Sequence, residues 1–215
     1  MTFKESARQV GDISVDAGRA STQIGWYRFA ARQVTAGRTV IDIGCGLGTG
    51  LKELQATALK AVGQDLDPRL EREDIVISPI EDIPSKSYDV VVSVDVVEHV
   101  PEDSGFLRQL ARIAKQAVFL TTPLSVLGRE IWPYHIREYK AREFMALVAP
   151  VGRVTYYKGT PSGSEIYEVR NMQYFWMIDS LINSPLFNLP FRAGQKILPK
   201  RLRYNAHQAA LIELT

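Results

Sequence analysis

The chain has 215 residues, a formal net charge of +2 and one cysteine, Cys45. This length suffices for one large domain with a sizeable core, and we expect a single domain over residues 1–215. A net charge this small does not favour a nucleic-acid partner. A single cysteine excludes an internal disulfide. Because the sequence shows neither an apolar signal segment nor an apolar run of about 18 residues, we expect a cytoplasmic protein without a membrane span.

The N-terminal region is predicted to contain an arm and a helix. Residues 1–25 are polar and show no strong periodicity, which predicts a loosely ordered arm that could fold over a neighbouring site. Residues 26–34, WYRFAARQV, place apolar side chains on one face and predict a helix before the first strand. Trp26 and Tyr27 have two interpretations, which are packing in the core and forming a wall of a ligand site.

The stretch Thr39 to Gly50, TVIDIGCGLGTG, carries the strongest signal. Its β-formers predict a short buried strand, and Gly44, Gly46 and Gly48 then predict a tight turn whose bare backbone a ligand can approach. Apolar residues at helical spacing follow, so the turn opens a helix. A strand, a glycine turn and a helix N-terminus together indicate a nucleotide-type site at the carboxyl end of a strand.

Two acidic residues indicate which ligand this site takes. Asp42 stands two residues before the first glycine, and the spacing is G-x-G-x-G rather than the G-x-G-x-x-G of dinucleotide sites. A carboxylate there would repel a pyrophosphate, but it suits a ligand with an ammonium and a sulfonium, namely S-adenosylmethionine. Asp65 follows a second apolar run about 20 residues after the first glycine, the usual place for an acid that bonds a ribose hydroxyl.

With these motifs, the chain resembles the class I S-adenosylmethionine-dependent methyltransferases. The resemblance rests on VIDIGCGLGTG, VGQDLDP, EDIPSKSYDVVVSVDVVEHVPED and HIREYKAREF, which lie in the family's order and at its spacings within residues 26–150. It implies methyl transfer from S-adenosylmethionine and an α/β fold: a Rossmann-like, doubly wound, seven-stranded, mostly parallel sheet with an antiparallel last strand. It also implies cofactor contacts beyond the glycine turn, at Leu66, Ile80, Glu81 and Ser93.

The sequence outside these motifs also agrees with the predicted α/β fold. Pro79 stands where the family commonly has an adenine-binding aspartate, so we expect the Ile80 backbone, Glu81 or Asp82 to contact the adenine instead.

The charged segment 69–74 is too short for a full helix, which predicts an abbreviated connection. Apolar runs predict strands at 59–64, 75–77, 88–94, 117–121, 154–157 and 209–215, and amphipathic helices at 102–115 and 141–149.

Polar residues follow the fourth and fifth predicted strands. Asp95, Glu98 and His99 are spaced i, i+3, i+4 and share one face if the segment is helical, and His135 follows the fifth strand, so the four could converge. They could bind Mg²⁺, Mn²⁺ or Zn²⁺; His99 or His135 could instead be a catalytic base or substrate contact; or the cluster could be structural.

This cluster is similar to two branches of the family. Ubiquinone-biosynthesis O-methyltransferases carry an acid-x-x-Glu-His tied to a divalent cation, and small-RNA ribose methyltransferases carry Glu-x-x-Glu-His with a later histidine. Among the three alternatives, His99 and His135 are the candidate catalytic residues. Asp95 in place of glutamate shortens the reach of the first acid.

Residues 160–206 are predicted to form a helical insertion before the last strand. Aromatic residues there precede a basic cluster, so the segment is a lid, a membrane-facing or lipid-facing element over residues 172–203, or a protein-binding element. PYHIREY also resembles methyltransferases for bacterial surface or lipid-linked glycans. We therefore expect an O-methyltransferase for a hydroxyl of a small molecule or lipid-linked saccharide. The alternatives are RNA ribose 2′-O-methylation and a non-catalytic cofactor-binding protein.

Overall fold

The computed structural model describes residues 23–129 and 131–214. The predicted arm over 1–25 falls almost wholly outside the described residues. Within them, the strands are β1 (Thr39–Ile43), β2 (Lys60–Asp65), β3 (Ile75–Ile77), β4 (Tyr88–Val94), β5 (Ala114–Pro123), β6 (Arg153–Gly159), β7 (Ile166–Glu168) and β8 (His207–Glu213). The helices are α1 (Ile24–Ala30), α2 (Leu51–Gln55), α3 (Asp103–Ile113), α4 (Ala141–Val148), α5 (Met172–Ile182) and α6 (Asn188–Gly194).

The strands form one sheet in the order β3-β2-β1-β4-β5-β8-β6-β7. The pairs from β3 to β5 are parallel, whereas β8 runs antiparallel to both β5 and β6. This arrangement confirms the predicted mixed α/β sheet, mostly parallel with antiparallel pairing at its C-terminal end. The carboxyl ends of the parallel strands lie at one edge, where such folds bind ligands.

The described part of the sheet has eight strands rather than the seven predicted. The additional strand is β7, which pairs antiparallel with β6 and lies inside the segment predicted to be helical. Its three residues, Ile166, Tyr167 and Glu168, are too few for periodicity to reveal a strand. The rest of the insertion contains α5 and α6, as predicted, and the abbreviated connection after β2 is a single 3₁₀ turn at Pro68–Leu70.

Two apolar layers cover the two faces of the sheet. On one face, Val40, Val92 and Phe119 pack with Trp26 of α1 and Leu51 of α2. On the other face, the intervening residues of the same strands pack against α3, α4 and α5. Near-continuous apolar runs in β4 and β5 are therefore buried on both sides, as expected for central parallel strands. No helix in the described ranges is both long and apolar enough to cross a membrane.

The core predicts a specific stability cost. Phe119 is fully buried in β5, with its ring centroid 5.9 Å from that of Phe29. We expect Phe119→Ala to lower the free energy of unfolding by about 3–5 kcal/mol, because it leaves a cavity in a two-sided core. Urea unfolding followed by circular dichroism measures the change. The control Leu59→Ala, at a position 76% exposed, should stay within about 0.5 kcal/mol of wild type. Equal effects of the two substitutions would contradict the described core.

Candidate active site

The glycine turn folds against the end of β2 and leaves an open surface. The amides of Gly44 and Cys45 donate to the carbonyl of Gln64 at 2.9 and 3.0 Å. Gly44 has φ +75°, and a side chain there would lie 2.6 Å from Val96. Gly46 has φ +52°, and no described atom lies within 4 Å of the point where its Cβ would be. The backbone at Gly46 is therefore accessible to a ligand, which fits the predicted role of the turn.

Asp42 lies beneath this turn as an unsatisfied carboxylate. It is fully buried in β1, and neither of its carboxylate oxygens completes a hydrogen bond to any residue in the described ranges. Burial raises the pKa of Asp42 to about 8, although the neighbouring Tyr27 hydroxyl acts to lower it. A buried acid without partners is costly, so the position suits a cationic group such as the ammonium of S-adenosylmethionine. Tyr27 thus lies both in the core and against the candidate site.

Asp65 binds the backbone of the turn from the end of β2. Its Oδ2 accepts from the Gly46 amide at 2.9 Å, and its Oδ1 accepts from the Leu66 amide at 2.7 Å. Gly48 closes the far end of the turn, against the side chain of Arg72. Asp65 and Leu66 therefore lie at the predicted edge, where the carboxylate of Asp65 also orders the turn.

The predicted adenine-side residues lie beside this edge. Ile80 and Glu81 form a 3₁₀ turn just after β3; the Ile80 side chain is buried and its carbonyl accepts from Arg112 at 3.0 Å. Glu81 is exposed. The buried hydroxyl of Ser93 donates to the carbonyl of Ile43 at 3.1 Å and so joins β4 to β1, and the predicted cofactor contact at Ser93 stays a prediction.

The backbone conformation at Asp95 keeps this residue off the face that carries Glu98 and His99. It has φ +55°, in the left-handed region, and only one 3₁₀ turn, Val97–His99, follows it. The expectation that Asp95, Glu98 and His99 share one helical face is therefore wrong, since a three-residue turn does not reach back to Asp95. A left-handed aspartate at the end of a strand is strained, as residues at functional sites commonly are.

The carboxylate of Asp95 is bound by protein donors. Its Oδ1 accepts from His207 Nε2 at 2.7 Å and from Thr121 Oγ1 at 2.6 Å, and its Oδ2 accepts from Gln23 at 2.5 Å. Burial opposes ionisation, but the charge and hydrogen bond of His207, with those of Thr121 and Gln23, hold the pKa of Asp95 below its ordinary value. Asp95 therefore orients His207 rather than joining the group that could hold a metal.

His207 is the functional candidate that the sequence analysis missed. It is buried, and its ring centroid lies 5.4 Å from that of Trp26. The last strand was predicted to begin at residue 209, whereas it begins at His207. Because β8 is antiparallel to β5, its first residue lies at the carboxyl edge of the parallel strands. A histidine just before the last apolar run of an antiparallel closing strand was the available signal.

Glu98, His99 and His135 do converge, as predicted. Each offers one ligand atom, and these atoms lie within 4.8 Å of one another. His135 Nε2 lies 3.9 Å from Glu98 Oε1, which makes no hydrogen bond to a described residue. The other oxygen of Glu98 accepts from Thr122 at 3.0 Å. The cluster therefore contains a buried carboxylate oxygen facing two imidazoles.

The hydrogen bonds of the two imidazoles set their tautomers. His99 Nδ1 donates to the carbonyl of Tyr134 at 2.9 Å, and His135 Nδ1 donates to Glu138 Oε1 at 3.2 Å. Both rings then carry the lone pair on Nε2. This is the pattern by which carbonyl and carboxylate groups orient histidine ligands around a metal ion.

Glu98 has the opposite electrostatic environment from Asp95. Burial raises the pKa of Glu98 well above its ordinary value, and the negative charge of Asp95 raises it further. Burial therefore favours the neutral form of Glu98, and a bound cation would favour its carboxylate. Two neighbouring acids with pKa values moved in opposite directions are typical of active sites.

A cleft of about 260 Å³ opens beside these groups. Asp95, His207 and His135 line it together with Gln23, the first described residue. The other lining residues are Pro123, Arg129, Trp132, Glu138, Pro161 and Ala206. The Asp95–His207 pair and His135, one member of the Glu98 cluster, therefore line the same cleft.

A Rossmann-like sheet with an unsatisfied acid beneath an open glycine turn defines the class of S-adenosylmethionine-dependent methyltransferases. Residues 24–158 match the methyltransferase domain family, and the chain belongs to it. This is the family that the sequence motifs predicted. Within the chain, Asp42 and the open backbone at Gly46 are the features that fit this cofactor.

Curated relatives carry related names. A "probable S-adenosylmethionine-dependent methyltransferase" of Mycobacterium tuberculosis is 29% identical over 150 residues, which cover 61% of this chain and 54% of that protein. A ubiquinone biosynthesis O-methyltransferase of Albidiferax ferrireducens is 23% identical over 184 residues, which cover 71% of this chain and 72% of that protein. The chain spans about half the length of the mycobacterial relative, at 54%.

Solved structures share the fold. A methyltransferase of Thermotoga maritima superposes with a TM-score of 0.62 at 14% identity, over 97% of this chain and 98% of that chain. A methyltransferase of Archaeoglobus fulgidus gives a TM-score of 0.56 at 15% identity, over 95% of each chain. At these identities the likeness shows the fold alone.

We expect burial of Asp42 to lower the stability of the free protein while it increases affinity for the cofactor. Unfolded Asp42 loses its proton near pH 4, about the ordinary aspartate value, whereas in the folded protein it keeps the proton to about pH 8. The folded state therefore binds more protons within this window, and the contribution of Asp42 to stability falls as pH rises. Asp42→Asn should be more stable than the wild type without cofactor, by an amount that grows from pH 4 to pH 8. It should bind S-adenosylhomocysteine at least about tenfold more weakly.

Urea unfolding at several pH values and calorimetric titration of S-adenosylhomocysteine measure the two effects. Glu102→Gln, at an exposed carboxylate away from the turn, is the control and should keep wild-type cofactor affinity. A stability difference that does not vary with pH, or an unchanged affinity in Asp42→Asn, would contradict the assignment of Asp42.

Proposed function

We propose that this methyltransferase transfers the methyl group to a hydroxyl oxygen. The observation that carries the proposal is that His207, held by Asp95, lines the same cleft as His135 of the Glu98 cluster. An alcohol is a poor nucleophile until its proton is removed, so a hydroxyl acceptor requires a base or a Lewis acid. The cleft supplies groups for both.

His207 is the proposed base. Its Nε2 donates to Asp95, which leaves the lone pair on Nδ1, and Nδ1 makes no hydrogen bond to any described residue. In the transfer, an acceptor oxygen forms a bond to the methyl carbon while the carbon–sulfur bond breaks and S-adenosylhomocysteine leaves. The hydroxyl proton passes to Nδ1 of His207. Asp95 stabilises the resulting imidazolium, as the aspartate of a catalytic triad does.

Glu98, His99 and His135 are the proposed ligands of a divalent cation. The unsatisfied Glu98 oxygen and the second-shell bonds of both imidazoles fit such an ion, and the mixed oxygen and nitrogen set suits Mg²⁺, Mn²⁺ or Zn²⁺. A bound cation would act as a Lewis acid toward an acceptor oxygen. Asp95, which was predicted as a fourth ligand, is not included.

The lining of the cleft favours a small ring-shaped acceptor with several polar groups. Trp132, Pro123 and Pro161 offer flat apolar surfaces, while Arg129 and Glu138 offer charged ones. A saccharide or a quinol combines apolar faces with hydroxyl edges in this way. The name of the Albidiferax relative, ubiquinone biosynthesis O-methyltransferase, supports a hydroxyl acceptor.

We expect methyl transfer to a hydroxyl compound and its dependence on His207. The wild-type protein is assayed for S-adenosylhomocysteine release with saccharides, quinols, amines and short RNAs. Turnover with a saccharide or quinol supports the proposal. In His207→Gln, which keeps a donor toward Asp95 but has no basic nitrogen, kcat should fall by about 10²-fold or more while cofactor affinity is unchanged.

Asp95→Asn should lower kcat less than His207→Gln, and added imidazole should partly restore His207→Ala, which a purely structural role would not produce. Methylation of amines alone would overturn the hydroxyl assignment, and methylation of RNA alone would favour the ribose alternative. Wild-type kcat in His207→Gln would exclude His207 as the base.

We also expect the Glu98 cluster to bind a divalent cation. Calorimetric titration of Mn²⁺ into protein saturated with S-adenosylhomocysteine should give saturable binding, and His135→Ala should abolish it because one of three ligands is lost. His207→Ala is the matched control, since it removes a cleft histidine outside the cluster, and it should bind Mn²⁺ normally. Absence of binding in the wild type would overturn the cation site but leave the proposed base intact.

A further inference from the structure

The segment after α5 exposes an unusual concentration of large apolar side chains. Leu186, Leu189 and Ile197 are 81%, 79% and 88% exposed, the three highest values among the large hydrophobic residues described. Phe187 is 53% exposed. Isolated exposed apolar residues are ordinary, but a group within twelve residues of chain marks an interaction surface.

Leu189 and Ile197 belong to a single helical element, and Leu186 lies in the turn just before it. α6 continues into a 3₁₀ turn at Gln195–Ile197. Leu186, Leu189, Ala193 and Ile197 are spaced three or four residues apart in the sequence, and all are exposed. This set is called the apolar face below. From Leu189 to Ile197 the helical spacing places these exposed side chains on one side of the element.

The opposite side of this element is fixed to the domain. Gln195 is buried, and its side-chain oxygen accepts from the Tyr204 amide at 2.5 Å. The Asn188 side chain donates to the carbonyl of Leu127 at 3.3 Å, and the Asn183 side chain accepts from the amide of Leu127 at 2.9 Å. The apolar face therefore points away from a well-anchored surface.

The charge of the same stretch is entirely positive. Between Asp179 and Glu213 the sequence contains no acidic residue. Five basic residues occur there, and because the whole chain has a net charge of only +2, the remainder is net acidic. Arg201 is exposed. The basic residues are Arg192, Lys196, Lys200, Arg201 and Arg203.

We propose that the apolar face, together with the basic residues of the same stretch, binds the surface of an anionic lipid bilayer. An apolar side that enters the lipid boundary, flanked by cations that meet anionic headgroups, is the chemistry of interfacial helices. Lys200 is ion-paired with Glu165, but a neutral partner would use the apolar side chains and leave the exposed guanidinium of Arg201 without an anion. This binding does not depend on methyl transfer.

The geometry also relates this surface to the cleft. The loop tied to α5 and α6 through Leu127 carries Ile131, Trp132, Tyr134 and Ile136, which are 43–50% exposed. Trp132 lines the cleft as well. Tryptophan and tyrosine are favoured at bilayer interfaces. Bilayer binding through the apolar face would therefore place the loop at the edge of the cleft near the lipid surface.

The test is cosedimentation of the full chain with phosphatidylcholine vesicles, with and without phosphatidylglycerol. We expect binding only to the anionic vesicles, and weaker binding at high salt. The triple variant Leu186→Ser, Leu189→Ser and Ile197→Ser should bind at least about tenfold more weakly. Arg201→Glu should also weaken binding. Leu59→Ser, at an exposed site distant in the sequence, should bind like the wild type.

All variants change exposed side chains, and unchanged affinity for S-adenosylhomocysteine confirms that each is folded. Binding to neither vesicle would overturn the proposal, as would equal binding to both. A dimer that the triple variant abolishes, without any vesicle binding, would assign the face to a second copy of the chain and would also overturn it.

Discussion

The arrangement of the cleft depends on the hydrogen bond between His207 and Asp95. It joins the first residue of β8 to the residue after β4, and Thr121 of the intervening β5 donates to the same carboxylate. A buried charge that loses its partner is strongly destabilising, so these strand ends are held together by electrostatics as well as by the sheet. The same contact sets the tautomer of His207 and the position of its remaining nitrogen.

The two acids after β4 illustrate how burial divides roles between identical chemical groups. Asp95 accepts three side-chain hydrogen bonds and stays ionised, whereas Glu98 retains an oxygen without a donor in the described residues and has a raised pKa. The first is a fixed anion that orients an imidazole. The second is a buried carboxyl group whose ionised form a bound cation would stabilise. The same edge of the sheet thus provides two distinct electrostatic environments three residues apart.

Much of the fold and the cofactor edge can be predicted from the sequence, because glycines in a turn and apolar runs are local signals. Asp42 is recognisable from its distance to the first glycine, and the predicted strands agree with the structure within three residues at each end. The position of Asp95 and the hydrogen bond of Ser93 could not be predicted, because a left-handed backbone and a cross-strand hydrogen bond leave no periodic trace. His207 is paired with a residue 112 positions away, which only the sheet topology reveals.

The position of β8 has a consequence for the order of events during synthesis. It comes last of the eight described strands but lies between β5 and β6, both of which leave the ribosome earlier. The two parts of the sheet can be joined only after β8 emerges, and such non-local pairing is slow. Because His207 is the first residue of β8, the cleft acquires its histidine–aspartate pair at the same step. Nascent chains thus carry a glycine turn before they carry a complete cleft.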